Sequence, residues 1–365
     1  MNYKETLYFV AKCLTISLED KNRQQVGKRL QSETIDWDAV VKVSTAHLVF
    51  PALYCNLKRA DFLQYLPQEL VSYMEHITNL NRRRNEKIIA QAKELNSLLL
   101  AHSVTPIFLK GSGNLIAGLY EDIAERMVGD IDFIFSKEDY PNAVIVLKEF
   151  GYLENGIYHY KPFSFRHFPR LVHKNKIAAV EIHSQLLIAK YTNEFNYHFV
   201  EKDSQIINGI AVLSLANKLN LSIIAHQIND NGIYYKTMAL RNAYDVFLLS
   251  KKTNVKDAIN ILPKLMHPLN CFLATCYEVF NKTESLEYYK TKKTAHYLFI
   301  FNNQLLFTKK TKRWHNKINT YIFFKSRLLV LYNNLLYKKY LIWLLKRTMN
   351  KNWYKEKLFQ LRPKK

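Results

Sequence analysis

Glycine and proline are scarce, nine of each in 365 residues. Their scarcity argues against collagen-like, low-complexity and many-turned all-β chains. Long stretches free of helix breakers predict a mostly helical protein. Cysteine is scarcer still. Cys13, Cys55, Cys271 and Cys276 are scattered and form no disulfide framework, and the Cys271/Cys276 pair lacks the second pair that a zinc site needs. Buried free thiols are expected instead. No uninterrupted apolar run reaches the roughly 18 residues of a membrane-spanning helix. The start, MNYKETLYFVAKCLTISLED, has early acids and Lys12 inside its apolar stretch, so it does not read as a signal peptide. A reducing bacterial cytoplasm fits these absences.

Acids are missing from one place in particular. From Lys309 to Lys365 there are 17 Lys and Arg against a single acid, Glu356, while the whole chain carries a net +22. A basic appendage at 309–365 is expected, rather than a polyanion-binding surface spread over the molecule.

What is present begins with helical spacing. Residues 1–103 read as a helical region. In it DWDAVVKVSTAHLVFPALYCNL opens on an Asp36 cap, and a long amphipathic run from Pro67 puts Leu70, Tyr73, Met74 and Ile77 on one face. Across 104–205 the period changes, which predicts an α/β core. TPIFLKG reads as a buried strand, SGNLIAGLYED as a helix start and GDIDFIF as a second strand. SKEDYPNAVIVLKEFG reads as a helix opened by a serine and closed at Gly151. GIYHYKPFSFRHFPRLVHKNKIAAVEIHSQL alternates and contains a KNK turn, predicting two or three antiparallel strands. Residues 206–308 return to helix and are expected to close a cleft. There KTMALRNAYDVFLLSKK sets Leu240, Tyr244, Phe247 and Leu248 on one side, and further helices cover 256–307. The fold class expected is α+β.

The chemistry concentrates in PIFLKGSGNLIAGLYEDIAERMVGDIDFIF. Asp130 and Asp132 are two apart in a strand and leave the same face, while Ile131, Phe133 and Phe135 point into a core. Two buried carboxylates side by side are costly unless a cation lies between them, and a divalent metal supplies one. The turn Gly111-Ser112-Gly113 before a helix offers backbone N–H groups and a hydroxyl to an anion such as a triphosphate. It is neither a Walker loop, since Lys110 precedes the glycines, nor a Rossmann fingerprint. Glu181, in the apolar AAVEIHSQL, is the best third carboxylate for a two-metal site, and His183 shares its face. The plain alternatives are a solvated strand edge for the aspartates, an ion pair for Glu181, a helix cap for Ser112 and structural ion pairing with the acids for Lys110 and Arg126. Arg241 and Asp245, four apart on a helix, read most simply as a surface ion pair.

In order, a Lys-Gly-Ser turn, an arginine, Gly-Asp-Ile-Asp and a later Val-Glu-Ile-His resemble the uncharacterised bacterial nucleotidyltransferases of the DNA polymerase β superfamily. The similarity extends to AHLVFPALYCNL, AHQIND and LRNAYDVFLL and covers roughly residues 35–250. The resemblance implies a polymerase-β-like core and transfer of a nucleoside monophosphate from an NTP, ATP first, with two Mg²⁺ (or Mn²⁺) required. By position it implies that Gly111 and Ser112 hold the triphosphate, that Asp130 and Asp132 bind both metals and that Glu181 is the third ligand. Lys110 and Arg126 become phosphate contacts. His183, His226, Arg241 and Asp245 become candidates for supporting or substrate-contacting roles. Two features depart from the wider superfamily, a Glu where Asp is common and a lysine before the glycine; both look usual for this subgroup. The acceptor stays unassigned.

An inactive nucleotide-binding or partner-binding module, and a toxin that nucleotidylates tRNA or protein, are the other functions the sequence admits. Loss of the negative charge in Asp132→Asn is expected to leave stability unchanged or slightly raised. For the tail, a solvated helical subdomain is the simplest reading. RNA contact and peripheral contact with an anionic membrane, through YLIWLLKRTMNKNWYKEKLF, stay open beside it.

Overall fold

The computed structural model describes residues 1–154, 166–336, 338–351 and 354. Five helices come first: α1 (Tyr3–Cys13), α2 (Asp20–Ser32), α3 (Trp37–Ala46), α4 (Phe50–Arg59) and the 34-residue α5 (Gln68–Ala101). A mixed region follows, with β1 (Ile107–Leu109), α6 (Lys110–Ile116), β2 (Asp130–Ile134), α7 (Asp139–Glu149), β3 (Leu153–Glu154), β4 (Leu171–Val172) and β5 (Ala179–His183). It continues through α8 (Tyr197–Glu201), β6 (Gln205–Ile207) and β7 (Ile210–Val212). Helices then return as α9 (Leu215–Ile224), α10 (Gly232–Tyr235), α11 (Leu240–Ser250), α12 (Val255–Asn260), α13 (Met266–Val279) and α14 (Lys292–Leu306). The tail is α15 (Thr308–Leu336) and α16 (Lys338–Thr348). The class is α+β, as the change of period predicts.

Local chemistry explains the boundaries. Asn2 and Glu5 cap α1 reciprocally, Asp36 accepts from the Ala39 N–H at 3.0 Å, and Ser136 accepts from the Asp139 N–H at 2.9 Å. Gly151, at φ +86°, ends α7 in the left-handed region. The apolar run from Asp36 is broken into α3 and α4, because Leu48 turns left-handed at φ 57° and Pro51 sits in the first turn of α4. On α5, Met74 is buried but Tyr73 is exposed, so the buried face is not the one that spacing predicts. It runs instead through Met74, Thr78, Asn81, Asn85 and Ile88.

Among the described residues, seven strands form one mixed sheet in the order β3-β4-β5-β2-β1-β7-β6. The outer pairs β3/β4, β4/β5 and β6/β7 are antiparallel, as is β1/β2, whereas β2/β5 and β1/β7 are parallel. The KNK turn joins β4 to β5; the strand expected from Gly156 lies largely outside the described residues. One continuous apolar core extends from Leu7 in α1 through Phe108 and Phe133 in the sheet to Phe301 in α14. All four cysteines are free and buried. Among the described residues no helix is long and apolar enough to cross a membrane.

A half-buried histidine makes this fold acid-sensitive. His47 Nδ1 accepts from the Leu240 N–H at 3.3 Å, and its Nε2 lies 3.1 Å from the Tyr3 hydroxyl. Burial, then the charge of nearby His226, pushes its pKa down to about 4. The unfolded chain therefore takes up this proton first as pH falls. Stability is full above the ordinary 6.5 and declines towards about 4, by up to about 3 kcal/mol. Urea unfolding across that window should show the decline in the wild type and a shallower one in His47→Gln.

Candidate active site

The site grows from the parallel pairing of β2 with β5, whose register sets Asp132 opposite Glu181 and Ile134 opposite His183. Strand alternation sends Ile131, Phe133, Val180 and Ile182 into the core, leaving Asp132, Glu181 and His183 on the other face. Ligand atoms of these three lie within 4.8 Å of one another. β1 runs alongside, with Leu109 opposite Asp132, so the next residue, Lys110, arrives at the acids. Its left-handed backbone, φ 49°, turns the chain into α6. Its Nζ then sits 2.6 Å from Asp132 Oδ1, 3.3 Å from His183 Nε2 and 3.8 Å from Glu181 Oε2.

The electrostatics follow from this crowding. Burial alone pushes the Asp132 carboxyl up, but the Lys110 charge and the hydrogen bonds from His183 and Lys110 outweigh it, and the net shift is down. Glu181 goes the other way, raised by burial and by the Asp132 charge. Burial, reinforced by Lys110, holds His183 at about 4, so its imidazole is neutral near pH 7.

The other sequence-predicted residues are placed differently. Asp130 shares the Asp132 face but lies outside the cluster, ion-paired with Arg170, and His183 supplies the third ligand atom in its place. The Ser112 hydroxyl is engaged within the protein. It donates to the Leu109 carbonyl at 3.0 Å and accepts from the Asp132 N–H at 3.2 Å, fastening the turn to β2. Gly113 packs so closely that a Cβ would meet the Phe108 carbonyl oxygen at 2.7 Å, and a Cβ on Gly111 would meet Val128 at 2.9 Å. These small residues let α6 lie tight against β1.

Arg126 and Asp245 need correction together. Arg126 is buried and binds Asp245 at 2.9 Å and 3.1 Å, and Asp245 also accepts from Tyr120 at 2.7 Å. Arg126 is therefore committed to the core and is not an open phosphate contact. Asp245 is no surface partner of Arg241, whose buried Nε has no hydrogen-bond partner. His226 donates to the Thr237 carbonyl at 2.9 Å and lies against Phe272, which makes it a fastener of the turn between α9 and α11, outside the acidic cluster.

Three supporting features escape sequence reasoning. Asn81 and Asn85 of α5 donate to the carbonyls of Ala124, Ile123 and Arg126, and Arg82 grips Asp122 with two nitrogens. Their signal is NRRRN, with asparagines four apart on the buried helix face. Arg170 and His167, whose ring centroid is 5.4 Å from that of His183, come from RHFPR, cations inside an aromatic stretch.

A family model described as an uncharacterised nucleotidyltransferase matches residues 33–280. The chain belongs to that family. The match takes in the whole sheet and the acidic cluster and leaves out α1, α2 and α14 to α16. No curated protein matches the chain. Among solved structures, JHP933 from Helicobacter pylori is 16% identical, covering 66% of this chain and 97% of its own, at a TM-score of 0.30. A candidate nucleotidyltransferase from H. pylori is 15% identical, covering 64% and 96%, at 0.29. The family match makes nucleotidyl transfer the general chemistry, and families of this kind typically use a divalent metal. The donor set fits such an ion. Two carboxylates and an imidazole kept neutral surround a space where a cation, the Lys110 ammonium, already reaches.

Proposed function

We propose that this nucleotidyltransferase moves a nucleoside monophosphate from an NTP, ATP first, to an acceptor hydroxyl on the face formed by Asp132, Glu181 and His183. The convergence of those three side chains beside the Lys110 turn is the observation that carries the reading. The acceptor oxygen bonds to the α-phosphorus, the bond to pyrophosphate breaks, and the hydroxyl proton leaves to water. Asp132, Glu181 and His183 would hold Mg²⁺ or Mn²⁺, which lowers the acceptor's pKa and offsets charge on the departing pyrophosphate. Asp130 would join a second ion once Arg170 releases it.

The protein's own cations take the complementary part. Lys110 and Arg170 neutralise the acids and stand at the mouth of the same face. With a nucleotide bound they exchange carboxylate oxygens for phosphate oxygens, which gives Arg170 the contact first sought in Arg126. Gly111 and Ser112 act one step back, setting the turn that aims Lys110.

Incubating purified protein with each α-labelled NTP, Mg²⁺ or Mn²⁺ and a cell lysate tests this. Label should appear on RNA, protein or a small molecule, with one nucleotide preferred. NTP binding with no label transferred under any condition would leave a nucleotide-binding module and sink the transferase reading.

A further inference from the structure

We infer that α15 and α16 dock the protein on an anionic lipid surface. Among the described residues, the contacts that tie α15 to the body lie along its first part. Thr311 donates to the Gln304 carbonyl at 2.9 Å, His315 Nε2 meets the Tyr235 carbonyl at 3.1 Å, and Ile318 is buried. Before Lys325, which lies over the Tyr234 ring, Trp314, Tyr321, Phe323 and Phe324 are exposed, and beyond it a run of described aliphatic side chains is left in water. Leu328, Leu329, Leu331 and Leu336 on α15, with Leu341 and Leu345 on α16, are each between 45% and 66% exposed. Removing this apolar area from water is favourable, so the surface is built to be covered.

Charge selects what covers it. From Lys309 to Lys351 there are twelve Lys and Arg and no Asp or Glu. A second copy would set two such cationic surfaces against each other with no acid between them. Acidic headgroups complement the charge, and the acyl layer beneath them takes the leucines. RNA also offers negative charge, but its bases stack on aromatic rings and leave aliphatic side chains uncovered. The aliphatic share of the exposed surface therefore favours lipid. Lys338, in the middle of the leucines, has a stem long enough to reach headgroups from there. Since no helix among the described residues is long and apolar enough to cross a membrane, the pair would lie in the interface.

Co-sedimentation of the full chain with vesicles tests the inference. Binding to phosphatidylcholine mixed with phosphatidylglycerol should exceed binding to phosphatidylcholine alone by on the order of tenfold or more, and salt should weaken it. Leu328→Asp/Leu331→Asp should lose the binding while keeping its melting temperature, because both residues are exposed. Equal binding to both vesicles, no binding, or undiminished binding by the leucine variant overturns the inference. So does RNA binding tighter than vesicle binding and indifferent to the leucine change. Dimerisation that the leucine change abolishes would assign the surface to a second copy and overturn it too.

Discussion

Asp132→Asn is expected to lower nucleotidyl transfer about a thousandfold, because the proposed site would lose a metal ligand and with it several kcal/mol of charge stabilisation, about 1.4 kcal/mol per tenfold. Glu181→Gln should lose activity to a similar degree. Stability separates the two. Asp132 is held ionised by Lys110 and His183, so its replacement leaves the ammonium only its longer 3.8 Å contact with Glu181 and should cost about 2 kcal/mol. The cost falls short of a fully buried pair because Lys110 is 31% exposed. This reverses the expectation from charge repulsion alone, which neglects the cation already between the acids. Glu181 is raised by burial and by Asp132, so a neutral isostere there relieves strain and should hold or raise the melting temperature. Pyrophosphate release and thermal melting on both variants check the pair. A fully active Asp132→Asn enzyme would remove the proposed site.

Asp245→Ala is expected to be the most destabilising single change at this end of the molecule. Arg126, 6% exposed, would keep its charge without a carboxylate, and Tyr120 would lose its acceptor. Breaking a buried ion pair from one side costs about 3–5 kcal/mol, whereas Arg126→Met with Asp245→Leu should recover most of that. Urea unfolding of the single and double variants measures the coupling. Additive losses would show that the two residues act separately. The loop from Asp122 to Met127 depends on the same contact, because Asn81 and Asn85 hold its carbonyls while Arg126 holds its far end. Nucleotidyl transfer should therefore fall in Asp245→Ala through loss of folded protein.

Much of this was legible from periodicity. The step from a 3.6-residue to a 2-residue period near Thr105 locates the sheet, and alternation places Asp132, Glu181 and His183 on one face. Alternation shows which way a side chain leaves its strand, however, and not what reaches it from the next strand. Arg170 approaches Asp130 from beside β4, whose pairing depends on a register that sequence does not display. Arg126 and Asp245 were misread for a related reason. Spacing ties Asp245 to Arg241 four residues away, while its true partner is brought from far along the chain by packing. On α5, asparagines take core positions because loop carbonyls need donors there, a demand visible only once the loop is in place.

The lysine between the acids also bears on assembly order. In domains organised by zinc, the ion must arrive before the chain can collapse, since bare thiolates repel. Here the repelling groups come with neutralising partners from the same polypeptide, Lys110 for one strand position and Arg170 for its neighbour. Folding therefore does not wait on an ion, and loading at the proposed site would exchange one positive charge for another on a finished scaffold.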